Sequence, residues 1–162
     1  MAEALTNARA GSAFVAYSAG IDPKPEVSPV VTDVLLAHGI PAGTLRTKRW
    51  TEFTGPGAPR IDFLIVTGER NEGDLVPEWP GETSPVRANW QLPDPAEGSQ
   101  EMDHLRARAE TNYQIVGRCV RMFLSIPDDV LNHLATREPH GLDIDETAIS
   151  LMSQVFRPAV PV

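Results

Sequence analysis

A chain of 162 residues, 41% hydrophobic and 22% charged, carries enough apolar material for one ordinary globular domain and lacks the balance of a disordered one. Its formal charge of −8 and the absence of a sustained Lys/Arg stripe argue against nucleic acid and anionic membrane as main partners. No apolar run approaches the roughly 20 residues that cross a bilayer, and the N-terminus has no basic-then-apolar leader, so the expected location is cytoplasmic.

The chain opens with MAEALTNARA, helix formers that set Met1, Leu5 and Ala8 on one face, and Gly11-Ser12 closes this short helix. No cap residue or turn precedes it, so it reads as the continuation of a preceding segment. Phe14 to Gly20, FVAYSAG, predicts a short strand ending at a glycine turn, with Pro23 and Pro25 in the loop beyond. Ser28-Pro29 has the pattern of an N-cap followed by proline at the first helical position. Val30, Val31, Val34 and Leu35 then recur at helical spacing until Gly39 stops the run. Leu45 to Phe53, LRTKRWTEF, is basic with two aromatics; an anion site is one reading, and a solvated loop is the expected one. After the breaker Gly55-Pro56-Gly57-Ala58-Pro59, the run Ile61 to Thr67 is the best buried-strand candidate and is expected centrally in a sheet.

Gly68 to Gly81 is polar and acidic and predicts a surface loop. Its Glu69, Glu72, Asp74 and Glu78 follow none of the oxygen-ligand offsets of a hard-cation site, so no metal is expected there, and no cofactor motif occurs elsewhere. Trp90 to Gly98 places Asp94 between Pro93 and Pro95, which fix φ and remove backbone donors on both sides of its carboxylate. Two readings stay open for Asp94: a rigidly held proton donor, or the initiator of a turn before the next helix.

Gln100 to Ile126 is the longest helical run. Its apolar stripe comprises Met102, Leu105, Ala109, Tyr113, Val116, Val120, Phe123 and Leu124. Cys119, the one cysteine, lies inside it with no His or CxxC partner and reads as a core residue; it suits a reducing compartment. His104, His133 and His140 lack metal-ligand spacing and read as structural or exposed. Pro127-Asp128-Asp129 starts a further helix to about Leu134. A tail from 135 to 162 follows, with a possible helix near Glu146 to Phe156. Strands alternating with helices predict an α/β fold, a parallel sheet with helices on both faces and ligands beyond the carboxyl ends of the strands.

Four motifs in unbroken order, YSAG (Tyr17 to Gly20), TLRTKRWTEF with GPGAPRIDF (Thr44 to Phe63), PEWPG (Pro77 to Gly81) and NWQLPDPAEGS (Asn89 to Ser99), resemble the low-molecular-weight protein tyrosine phosphatase superfamily, in its thioredoxin-coupled arsenate reductase branch. The resemblance covers Met1 to about Leu134. In that family a C-x5-R phosphate-binding loop between the first strand and the first helix carries the nucleophilic cysteine. Loop N–H groups and the arginine stabilise the oxyanion, and an Asp in an Asp-Pro turn protonates the leaving oxygen. The resemblance therefore implies that Asp94 is the general acid, vestigial or conditional, and that Ser18 supports the phosphate loop.

It also implies departures. The C-x5-R loop and first strand would lie before Met1, the positions of two relay cysteines hold Gly68 and Val76, and Asn89 stands where His often precedes the Trp. The expectation is a protein catalytically incompetent as printed. The alternatives are an active Cys-dependent phosphatase or arsenate reductase, binding phosphate or arsenate, if the true chain starts upstream, and a subunit that completes its sheet with a partner chain. The absent first strand would leave open sheet edges, through which self-association is expected.

Overall fold

The computed structural model describes residues 1–67, 85–90, 92 and 101–136. Among these the protein is mixed α/β, with four α-helices and a two-stranded parallel sheet. They fall into two compact units, one within Met1–Glu52 and Pro93–Arg121, the other within Phe53–Leu92 and Met122–Val162.

In the first unit, helix α1 (Ala2–Arg9) buries Ala4 and Leu5, and helix α2 (Pro29–Ala37) buries Val30, Val34 and Leu35. Ser28 holds the N-cap position of α2 but makes no side-chain cap bond; its carbonyl accepts the Val31 and Thr32 N–H groups instead. Gly39 ends α2 as expected. Its φ of 72° lets the Gly39 N–H reach the Leu36 carbonyl and the Ile40 N–H reach the Leu35 carbonyl, the paired closure of a Schellman turn. Helix α3 (Met102–Leu124), which belongs to this unit up to Arg121, buries Ala109, Tyr113, Val116 and Val120 of the expected stripe, while Leu105 is half-buried and Met102 exposed. Arg9 of α1 donates to the Gly117 carbonyl of α3 at 3.0 Å. His38, at the C-cap of α2, stacks on Tyr113 of α3 with ring centroids 3.9 Å apart.

In the second unit, strand β1 (Phe63–Val66) pairs in parallel with β2 (Val86–Asn89), in register from Phe63 opposite Val86 to Val66 opposite Asn89. Among the described residues β1 pairs with β2 alone, so the expected central position in a sheet is not seen there. Phe63 meets Phe123, from the last turn of α3, edge to face at 5.3 Å. Helix α4 (Asp128–Thr136) buries Leu131. Arg60 spans from this helix to the entrance of β1, donating to the Ala135 carbonyl and pairing with Asp62 at 2.8 Å.

Two expectations are corrected. Phe14–Gly20 is not a laddered strand; its one strand-like pairing is an isolated parallel bridge between Gly20 and Arg49. The reason lies in α1, whose side chains take the backbone groups that a neighbouring strand would have taken. Asn7 accepts the Ala16 N–H at 2.8 Å and donates to the Ala16 carbonyl at 2.9 Å, and Glu3 accepts the Ser18 N–H at 3.0 Å. Four helical residues rise about 6 Å and two extended residues about 6.6 Å, so Glu3 and Asn7 on one helix face match Ser18 and Ala16 in spacing.

The second correction is to Lys48 within Leu45–Phe53, a segment whose Arg46, Arg49, Thr51 and Glu52 are exposed as expected of a solvated loop. Lys48 is buried, Trp50–Phe53 forms a 3₁₀ turn, and Arg46 grips Glu52 with two hydrogen bonds. The acidic 68–81 segment, the Asp94 turn and the tail with its helix near 146–156 lie outside the described residues.

Candidate functional site

Of the two residues singled out by the sequence, Ser18 is placed and Asp94 lies outside the described residues, as do the relay positions Gly68 and Val76. Ser18 belongs to a cluster that the sequence did not reveal. Its hydroxyl and its backbone N–H both donate to Oε2 of Glu3. The Lys48 ammonium donates to Glu3 Oε2 at 2.9 Å, to Glu3 Oε1 at 3.2 Å and to the Arg46 carbonyl at 3.2 Å, so each of its three protons has an acceptor. The Lys48 and Glu3 side chains are only 5% and 12% exposed, which makes this a desolvated ion pair rather than a surface one.

The electrostatics of Glu3 follow from these contacts. Burial pushes its carboxyl up, but the hydrogen bonds from Ser18 and Lys48, with the Lys48 charge, outweigh burial and hold it below the ordinary glutamate value. A carboxylate so stabilised is a weak base near neutrality. It therefore orients the Ser18 proton without activating the oxygen as a nucleophile. What the cluster does is clamp: it ties the YSAG segment and the buried Lys48 to the first turn of α1.

All three cations of the RTKR segment are engaged within the unit. Arg46 pairs with Glu52 and Lys48 with Glu3, while Arg49 reaches the Ile21 carbonyl and Asp22. This favours a structural role over the anion-site reading of that segment. The sequence carried one signal of the cluster: Glu3 and Asn7, four apart, are polar residues on one face of a helix whose Ala4 and Leu5 are buried.

In the second unit, polar atoms gather at the carboxyl end of β2. Trp90 is 4% exposed, and its backbone N–H extends the parallel ladder by donating to the Val66 carbonyl at 2.8 Å. Its indole Nε1 and the neighbouring Asn89 Oδ1 are both buried with no hydrogen-bond partner among the described residues. A buried donor and a buried acceptor left unsatisfied each cost about 1–3 kcal/mol, and open α/β sheets bind ligands at the carboxyl ends of their strands.

The single thiol is not part of either group. Cys119 is half-buried on α3, and burial raises its pKa against the opposing charge of Arg118. Among the described residues no group of three or more His, Cys, Asp or Glu side chains is placed to hold a metal ion, and no helix is long and apolar enough to cross a membrane. In comparison with known proteins, no family model matches the chain and no curated protein matches it.

Proposed function

We propose that the chain is a relative of the low-molecular-weight tyrosine phosphatases, close to their arsenate reductase branch, that serves as a binding or regulatory domain and performs no turnover with its own thiol. The four ordered motifs support the relationship, together with the mixed α/β architecture and its parallel strand pair. The observation that carries the absence of turnover is Cys119. A nucleophilic cysteine needs a thiolate stabilised by a helix N-terminus or nearby cations, whereas this thiol sits well inside a 23-residue helix and is pushed toward the protonated form by burial. Nor do the described residues give Ser18 a base strong enough to replace it.

A second reading is favoured by Trp90 Nε1 and Asn89 Oδ1, buried with no hydrogen-bond partner among the described residues. They stand just before the Asp94 turn in the chain, and they suit a site that a C-x5-R loop would complete. A full protein carrying such a loop upstream would be a Cys-dependent phosphatase or arsenate reductase with Asp94 as its general acid. The test is an assay of the 162-residue protein with p-nitrophenyl phosphate, and with arsenate plus an external thiol. No turnover above buffer is expected. Activity that disappears in Cys119→Ser would overturn the reading.

A further inference from the structure

Two arginines from different helices of the first unit converge on one glycine. Arg9, in the last turn of α1, donates to the Gly117 carbonyl of α3, and a Cβ at Gly117 would stand 3.3 Å from its Nη1 and 3.7 Å from its Nη2. The same point is 3.7 Å from Nη1 of Arg121, in the last turn of α3, so the two guanidinium groups come within about 7 Å of each other. Both arginines are exposed, whereas Gly117 is buried. Neither has an ion-pair partner among the described residues, while Arg46, Lys48, Arg49 and Arg60 each have one. A cation in the last turn complements the helix macrodipole, which accounts for each arginine singly. It does not account for their meeting, since like charges repel at that distance. Nor does it account for Gly117, which weakens the interior of a helix and leaves open the space that the two side chains share.

We propose that Arg9 and Arg121 form an anion site over Gly117 whose ligand is a phosphate group, free or as a monoester. The guanidinium fork matches phosphate oxygens, and charge-assisted bonds of about 2.8 Å from each arginine fit one tetrahedral oxyanion between groups this far apart. Donors remain for it: the Gly117 carbonyl takes one N–H of Arg9, and those of Arg121 have no acceptor among the described residues. The argument for phosphate over a carboxylate or a halide is charge. A doubly negative ligand offsets the repulsion between two cations, and a singly negative one does so only in part. Arg118, exposed and three residues before Arg121 on the same helix, adds a third cation to this end of α3. This inference is independent of the proposed function, since it uses neither Cys119 nor Ser18 nor the Asp94 turn.

Titration of the full chain with sodium phosphate at constant ionic strength, followed by proton–nitrogen NMR of the backbone amides and arginine Nε–H groups, is the test. Saturable shifts at Arg9, Arg121 and Gly117 are expected, with a dissociation constant of about 1 mM or tighter. Arg121→Gln, at an exposed position with no bond to lose among the described residues, should keep the fold and weaken binding at least about tenfold. Arg106→Gln, an exposed arginine near the other end of α3, should leave binding unchanged. Phenyl phosphate separates the two sources: equal affinity identifies the free ion as the ligand, and tighter binding identifies a monoester. The absence of saturable shifts, shifts that chloride reproduces, an Arg121→Gln protein that binds like the wild type, or an Arg106→Gln protein weakened as much as Arg121→Gln would overturn the proposal. Shifts centred on Ser18 and Gly20, with Arg9 and Arg121 unmoved, would also overturn it and would instead favour the site that the phosphatase resemblance implies.

Discussion

Replacing Lys48 with methionine isolates the energetics of the cluster beneath the YSAG segment. The substitution keeps most of the side-chain volume but leaves Glu3, 12% exposed, with Ser18 as its remaining donor residue among the described residues. Breaking a buried ion pair from one side costs about 3–5 kcal/mol, whereas an exposed pair contributes about 0–1 kcal/mol. The observed exposures place this pair in the first class. With a urea slope of about 2 kcal/mol/M, the unfolding midpoint should fall by about 1.5–2.5 M, which is resolvable by the fluorescence of Trp50, in the same unit as Lys48. Adding Glu3→Gln to Lys48→Met removes the stranded charge while the amide oxygen can still accept from Ser18, so the double variant should recover much of the loss. The expected coupling is about 2 kcal/mol. A Lys48→Met protein within about 0.5 kcal/mol of the wild type would refute the reasoning and place the pair among surface interactions.

The same cluster sets an acid limit. Because the Glu3 carboxyl titrates lower in the folded chain than in the unfolded one, its contribution is full above the ordinary glutamate range and is lost as pH falls through the folded value; the acid limb of a stability–pH curve should flatten in Glu3→Gln. Asn7→Ala removes both hydrogen bonds to Ala16 at an exposed site where water can replace them, so a loss of about 1 kcal/mol is expected by urea unfolding, with faster amide exchange at Ala16. Gly39→Ala forces a left-handed φ on a residue with a Cβ and should cost about 1–2 kcal/mol by the same measurement, although open space surrounds the position. In a longer protein that supplies a C-x5-R loop, Asp94→Asn should lower phosphatase turnover by about 10² to 10⁴ with little change in binding; full turnover on a poor leaving group would make that turn structural.

The helices were legible because each is written in local chemistry. Pro29 and Gly39 bracket α2, the stripe from Ala109 to Phe123 defines α3, and β1 is an uninterrupted apolar run. By contrast, β2 is the four residues VRAN, with an exposed Arg87 and a buried Ala88, and is a strand because β1 pairs with it rather than through propensity of its own. FVAYSAG has strand composition, but its inward-facing backbone groups are taken by Asn7 and Glu3. Such long-range capture by side chains leaves no periodic trace in the segment itself. Lys48 was misjudged for a related reason. A lysine in a basic stretch reads as solvated unless its partner is known, and that partner, Glu3, lies 45 residues away. Of the site residues, Ser18 was singled out by its motif, but its bonds to Glu3 were not foreseen, and the burial of Asn89 Oδ1 and Trp90 Nε1 became visible only in the structure.

The claim that this chain has no activated thiol of its own is tested most directly by the pH dependence of Cys119 alkylation. Iodoacetamide reacts with the thiolate, so its rate maps the ionisation of the only cysteine in the sequence. Burial of Cys119 predicts a rate that is slow at neutral pH and still rising above about pH 8.5, the free-thiol value. A rate that levels off below about pH 7 would reveal a stabilised thiolate of the kind catalytic cysteines possess, and would contradict the account.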